Sequence, residues 1–382
     1  MQTLEQQQVH FGASGFKQIL AILDSLSADR VFLVVDEAAY TASGAADEIE
    51  PLLVGRKVER FTGFEPNPKL EDVERGIEQF HQSNPDVVIA VGGGTAMDLA
   101  KLIGTLAVHK TSARDIITGT LDLEENGPPL IVIPTTAGTG SEATHFAVAY
   151  VEGVKYSLAD SRLLPAYVVI DSRLTRSLPA GITAATGLDA FCQSVESIWA
   201  VGSTDESVGY ASESVRLAIE HLPACVNNPT PESREAMCRA AHLSGKAINI
   251  SKTTAPHAIS YAITTRFGVP HGMAVALTLG ELLKFNAAVT EDDCTDPRGV
   301  EHVHGRIALL LELLGQSTAK SGAEKIRALV ESLGAPVTLR DVVVDDENSI
   351  SWIAEQVNVE RLSNNPRGIT KQDIKNILKE IW

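Results

Sequence analysis

Cysteine is scarce in this chain, with four in 382 residues, and Cys192, Cys225, Cys238 and Cys294 form no CxxC pair. That usage suggests reduced thiols in a cytoplasmic protein rather than a disulfide framework. Cations are also few. With 32 Lys and Arg against 49 Asp and Glu, the net charge is −17, which argues against a nucleic-acid or anionic-membrane partner, since both need a positive surface. An anionic small molecule would have to find its cations locally. No run approaches the roughly 18 apolar residues of a membrane span. The N-terminal MQTLEQQQVHFG lacks the basic, apolar and small-residue succession of a secretory signal. What is present is ordinary for a soluble globular protein, 44% hydrophobic and 21% charged. The length suits two or three domains at roughly 100 to 200 residues each.

The chain changes character near residue 180. Before it, the β-branched runs VFLVV (31–35), VVIAV (87–91), LIVIP (130–134) and YVVID (167–171) alternate with helical stretches such as LEDVERGIEQFHQ. Short apolar runs separated by helices suggest a parallel sheet covered on both faces. After it, helix-period segments dominate, among them ATGLDAFCQSVESIWA, PESREAMCRAAHLSGKAI and GMAVALTLGELLKF. The expected organisation is an α/β domain over 1–180 and a helical domain over 181–382, with no internal repeat. The cleft between two such domains is the default ligand site.

In DVVIAVGGGTAMDLAKLIG an apolar strand runs into Gly92, Gly93 and Gly94, and a helix opens at Thr95. Glycines admit a phosphate close to the backbone, and the helix start offers it unpaired N–H groups and a partial positive charge. The spacing is not GxGxxG, and a tight turn would need the same glycines. A second loop, PTTAGTGSE (134–142), also follows a strand. Thr135, Thr136, Thr139 and Ser141 would either meet a dinucleotide diphosphate along the sheet's carboxyl edge or satisfy their own loop backbone. Asp36, closing VFLVVD, would accept from an adenosine ribose and repel a 2′-phosphate, favouring NAD over NADP; capping the next helix is the other use of an Asp there.

Two histidines, His257 and His271, flank AISYAITTRFGVP. On one straight helix their separation would be about 21 Å, too far for a shared ion. Gly268 and Pro270 supply a bend, so His271 can open an element folded back toward His257.

The glycine loops, the two-histidine stretch and the domain order together resemble the iron-containing (group III) alcohol dehydrogenase family. The resemblance runs from FTGFEPNP (61–68) through GGGTAMDLAK, PTTAGTGSE and VKYSLAD (154–160) to NNPRGIT near the C-terminus. It implies a Rossmann-like N-terminal domain followed by an all-helical one, the dehydroquinate synthase-like fold, and commonly a homodimer. It implies a divalent ion, iron first and zinc second, held by an Asp, a His four residues on and two more His. Here these positions are Asp189, Gln193, His257 and His271, so Gln193 stands where a relative has His. A neutral amide oxygen is a weaker donor than imidazole, and the remaining three form a two-histidine, one-carboxylate set.

Many relatives also carry a His four residues after the position of His257; this chain has Tyr261, a poorer base at neutral pH that lines the pocket or packs in the core. By resemblance Asp98 lies near the nicotinamide ribose or the substrate, and Lys155 beside the cofactor. Their plainer readings are a first-turn helix acid and an exposed hairpin charge. Lys252, Thr253 and Thr254 precede Pro256 at a helix start beside His257, an arrangement able to take an anion. The wording KTTAPHAISY is similar to the phosphonoacetaldehyde reductase subgroup. The expected activity is therefore reduction of a small anionic aldehyde, such as phosphonoacetaldehyde to 2-hydroxyethylphosphonate, by NAD(P)H with metal assistance. A general short-chain alcohol or diol dehydrogenase, a dehydroquinate synthase-like lyase and a catalytically weakened nucleotide-binding protein are the alternatives.

Overall fold

A computed structural model of the protein describes residues 6–342, 344, 346–358 and 362–382. The chain divides into two compact units, Met1–Leu178 and Pro179–Trp382, a division two residues before the expected 180.

In the first unit the strands are β1 (Gln8–Phe11), β2 (Arg30–Val35), β3 (Lys57–Phe61), β4 (Val87–Gly92), β5 (Leu130–Pro134), β6 (Phe146–Val151), β7 (Val154–Ala159) and β8 (Tyr167–Ile170). Six of them form one sheet in the order β1-β8-β5-β4-β2-β3, and every pairing in it is parallel. The continuous apolar runs read from the sequence are its central strands. Val31 to Val35 and Val87 to Val91 are 0–1% exposed, as expected where helices cover both faces. Those helices are α1 (Ser14–Ser25), α2 (Glu37–Ala42), α3 (Ala45–Ile49), α4 (Leu70–Ser83), α5 (Gly94–Leu106) and α6 (Ala113–Ile117). β6 and β7 stand apart as an antiparallel hairpin in which Tyr150 faces Lys155.

The sheet order matters for function. From β2 the chain moves outward to β3, then returns to the other side of β2 and continues through β4 to β5. The direction reverses between β2 and β4. In open α/β sheets, ligands bind beyond the carboxyl ends of the strands at such a reversal, and there lie Asp36 after β2 and Gly92–Gly94 at the end of β4.

Among the described residues the second unit is built of helices: α7 (Ala180–Trp199), α8 (Asp205–Asn227), α9 (Pro231–Ser251), α10 (Ala255–Phe267), α11 (His271–Ala287), α12 (Val300–Leu313), α13 (Ala319–Ser332), α14 (Glu347–Gln356) and α15 (Lys371–Glu380). Their starts are set locally. Thr204, Thr230, Thr318 and Thr370 each accept from the backbone three residues on, while that residue's side chain returns the bond, a reciprocal arrangement that satisfies two otherwise orphaned donors. α10 ends on Gly268 in the left-handed region at φ 68°, and Pro270 precedes the first residue of α11. The bend expected between the two histidines is therefore made by these residues. No described helix is long and apolar enough to cross a membrane.

Candidate functional site

At the carboxyl edge of the first unit, the two glycine-containing loops are fastened to each other. Thr135 N–H donates to Gly92 O at 2.9 Å. A Cβ on Gly94 would lie 2.9 Å from Thr139 Cγ2, and one on Gly92 would lie 2.7 Å from Ala96 Cβ. These two glycines are demanded by packing. Gly93 differs, because a Cβ there would meet nothing closer than Thr136 at 3.4 Å. Gly93 is the N-cap of α5 and partly buried, and the unpaired N–H groups of such a helix start suit a phosphate-bearing cofactor. Thr95 Oγ1 accepts from Asn67 N–H at 3.3 Å. Asp36 is exposed and its Oδ1 caps α2 through Ala39 N–H at 3.0 Å.

Two side chains beneath this edge hold it in place. Asp98 accepts from Ser141 Oγ at 2.7 Å and from Val148 N–H at 3.0 Å. Each carboxylate oxygen thus takes one bond, from the second loop and from β6, so Asp98, expected as a catalytic and cofactor-side group, also tethers the edge. Burial raises its pKa, opposed by Lys101, by the Ser141 and Val148 hydrogen bonds and by Lys155. Lys101, unremarked in the sequence, is 1% exposed. Its ammonium donates to the carbonyls of Ser141 (2.7 Å), Thr144 (2.8 Å) and Phe146 (2.7 Å) and to Thr144 Oγ1 (3.1 Å). Burial brings its pKa down to about 8, against the pull of Asp98 and Glu142. Lys155 lies on β7, half-buried.

The second unit gathers the other expected residues. Asp189 on α7, His257 on α10 and His271 at the start of α11 present ligand atoms all within 4.8 Å of one another. His257 Nε2 lies 3.3 Å from Asp189 Oδ1, and His271 Nε2 lies 4.0 Å from it. The two imidazoles meet edge to face with centroids 5.3 Å apart. Gly272 makes this convergence possible, since a Cβ there would fall 2.0 Å from Ala185 O and 2.6 Å from Asp189 N. The start of α11 is pressed onto α7, carrying His271 to Asp189. A glycine directly after a histidine at a helix start was the sequence signal for this, and it went unread.

Asp189 and His257 are buried, and His271 is partly open. Two nitrogens and a carboxylate with an open side fit a catalytic divalent cation rather than a closed structural site. Gln193 shares the buried face of α7, but its Oε1 already accepts from Ser244 Oγ at 3.0 Å. One lone pair of the expected fourth ligand is therefore in use. Tyr261 stacks on His271, its ring inclined 4° at a centroid distance of 5.6 Å. That places its phenol beside the cluster.

Glu196, seven residues beyond Asp189 and fully buried, also escaped the sequence reading. Its Oε1 accepts from His257 Nδ1. Its Oε2 accepts from Thr254 N–H at 2.6 Å and Thr254 Oγ1–H at 2.8 Å. Burial lowers the pKa of His257, but the Glu196 charge and the hydrogen bonds to Asp189 and Glu196 outweigh it and raise it to about 9. The expectation for Thr254 is corrected here. It is 1% exposed, and its donors at the helix start are taken by the protein's own carboxylate, with Trp199 Nε1 donating to its hydroxyl at 2.9 Å. Thr253 is partly exposed, and its carbonyl accepts from Asn364 Nδ2 at 2.9 Å. Lys252 is exposed.

Comparison with known proteins agrees with this construction. Residues 6–172 match the model of iron-containing alcohol dehydrogenases, and residues 183–382 match the C-terminal model of that family. The chain is 36% identical over 317 residues to a phosphonoacetaldehyde reductase of Streptomyces viridochromogenes, covering 79% of this chain and 78% of that protein. It is 30% identical to an NAD-dependent methanol dehydrogenase of Bacillus methanolicus, covering 96% of each. Among solved structures it is similar to a sulfoacetaldehyde reductase of Bifidobacterium kashiwanohense in complex with NAD+, with a TM-score of 0.87, 28% identity and coverage of 98% and 97%. A parallel-sheet unit with a glycine edge, a helical unit with a His–His–Asp cluster and matches over both halves lead to one conclusion: the chain belongs to the iron-containing alcohol dehydrogenase family, oxidoreductases acting on CH–OH groups.

Proposed function

We propose that the protein is an NAD-dependent, metal-assisted reductase of a small anionic aldehyde, with phosphonoacetaldehyde as the leading candidate and 2-hydroxyethylphosphonate as its product. The observation that carries the reading is the convergence of Asp189, His257 and His271 with one side open. A divalent ion bound there, iron first and zinc as the alternative, supplies Lewis acidity toward a carbonyl oxygen. The chain's own residues do the rest. Asp189, His257 and His271 hold the ion, Tyr261 orients His271 and offers a phenol for proton relay, and Gln193 adds a weak neutral donor. Gly93, Thr95, Thr136 and Thr139 face the cofactor diphosphate, with Lys155 beside it. Exposed Asp36 favours NAD because its charge opposes a 2′-phosphate. A cytoplasmic homodimer is part of the same proposal.

Substrate charge rests on Lys252, an exposed cation at the C-cap of α9, just ahead of the α10 start that carries His257. It rests also on the likeness to relatives named for phosphonate and sulfonate aldehydes. A second reading, a general short-chain alcohol dehydrogenase, is favoured by the occupation of Thr254, which leaves fewer free donors for an anion. NADH oxidation against neutral, carboxylated, sulfonated and phosphonated aldehydes, after reconstitution with iron or zinc, separates the two. Phosphonate preference supports the proposal, neutral preference replaces it with the second reading, and nucleotide binding without turnover of any aldehyde overturns both.

A further inference from the structure

We propose that Glu196 is a positioning residue that fixes which nitrogen of His257 faces the metal. The inference rests on the reading of Asp189, His257 and His271 as a metal site. It begins from the donors around one buried carboxylate. Thr254 N–H is an obligate donor, and it points at Oε2 from 2.6 Å. The Thr254 hydroxyl receives Trp199 Nε1–H at 2.9 Å and spends its own proton on Oε2 at 2.8 Å. The other oxygen, Oε1, faces His257 Nδ1.

An ionised carboxylate accepts at both oxygens and donates at neither. It therefore requires a proton on Nδ1 of His257, and in the neutral imidazole this leaves the lone pair on Nε2, the nitrogen 3.3 Å from Asp189. A carboxylate behind a ligating imidazole fixes its tautomer and ring orientation and raises its basicity. Here the same carboxylate also ties down the first turn of α10, on which His257 sits. Orientation of the ring and of its helix thus depend on one side chain. Glu196 meets the cluster at His257 Nδ1, the nitrogen turned away from Asp189, so it acts through that ring.

The decisive variant is Glu196→Gln, which preserves shape. An amide has one accepting and one donating end. Thr254 N–H claims the accepting end, so the NH2 turns to His257 Nδ1, makes it an acceptor and moves the proton to Nε2, where it blocks ligation. Two measurements test this, neither of which is turnover. Competition against a chromogenic chelator should show Zn2+ affinity lowered by about 10- to 100-fold in Glu196→Gln. Nitrogen-15 NMR of metal-free protein at alkaline pH, where the imidazole is neutral, should show His257 as the Nδ1–H tautomer in the wild type and the Nε2–H tautomer in the variant. Glu196→Asp keeps the charge and should retain the wild-type tautomer. Far-UV circular dichroism and the urea-unfolding midpoint should stay close to the wild type and report that the variants, whose changed residue lies in the second unit, are folded. Equal Zn2+ affinity and an unchanged tautomer in Glu196→Gln would overturn the proposal. If the wild type binds no Zn2+, the metal reading falls on its own, and the tautomer measurement still decides whether Glu196 sets the ring.

Discussion

The two candidate sites are built from opposite materials. In the first unit the proposed cofactor-facing surface is backbone, partly buried at Gly93, with buried Lys101 and partly buried Asp98 as fasteners. In the second the ligand-facing atoms are side chains, Asp189, His257 and His271, and a buried carboxylate behind them plays the fastening part. A backbone site fails when something is added to it; a side-chain site fails when something is taken away. The largest effect should follow from Asp189→Ala, which deletes the carboxylate of the three-residue cluster. Metal affinity should fall by more than the about 100-fold that marks the upper end for loss of a supporting residue, and aldehyde reduction should vanish. NADH binding, followed by fluorescence, should be untouched. Loss of nucleotide binding in the same variant would break the separation between the two sites.

Lys101 tests the fastening on the other side. Lys101→Met strands three backbone carbonyls and removes a countercharge from Asp98, so a loss of about 3 kcal/mol is expected in urea unfolding. The pH dependence sharpens this. The folded pKa of Lys101 is about 8 against an ordinary 10.5, so between those values the unfolded chain binds the extra proton. Stability then rises with pH through that window and is flat below it. The wild type should gain roughly 2 kcal/mol relative to Lys101→Met between about pH 8 and 9.5. An invariant difference would show that the amine keeps its proton when folded.

These cases also show what the sequence made legible. The strands were visible because a covered parallel sheet needs unbroken apolar runs, and Gly268 with Pro270 announced the turn that joins two distant histidines. Asp98 and Thr254 were visible as polar residues near sites, but residue type does not say which of its neighbours a polar group will satisfy. Asp98 was claimed by Ser141 and Val148, Thr254 by Glu196. Lys101 and Glu196 were invisible for the complementary reason. Each sits on a helix where a charged residue reads as a solvated face, and only tertiary packing turns it inward. Gly272 was overlooked because a helix glycine carries meaning only once the facing helix is known.

A smaller effect is expected where the first unit's packing is tightened. Gly94→Ala forces Thr139 aside, since the new Cβ would start 2.9 Å from Thr139 Cγ2 and 3.2 Å from Oγ1. The second loop should shift by tenths of an ångström. NADH affinity should drop about tenfold, roughly 1.4 kcal/mol, with Zn2+ affinity unaltered. Equal nucleotide affinity would mean that the two loops need not be in register for binding.

The smallest effect falls on Lys252, where the comparison between backbone and side-chain sites meets in one residue. Its φ of 60° and ψ of 178° lie in a region that is essentially glycine's. Asn364 clamps the chain on both sides, donating to Ser251 O at 2.8 Å and Thr253 O at 2.9 Å, while its own oxygen receives Gly202 N–H at 2.8 Å. Relief of strain at such a residue is worth about 1 to 3 kcal/mol, less the roughly 0.5 to 1 kcal/mol that glycine's extra freedom costs. Lys252→Gly should therefore raise the urea midpoint by an amount equivalent to about 1 kcal/mol. Under the anionic-substrate proposal the same variant should raise KM for a phosphonated aldehyde and leave that for a neutral one alone. A protein made more stable and less selective together would show that the lysine is kept for its charge at the expense of its backbone; a protein made more stable with selectivity intact would assign the anion to other groups.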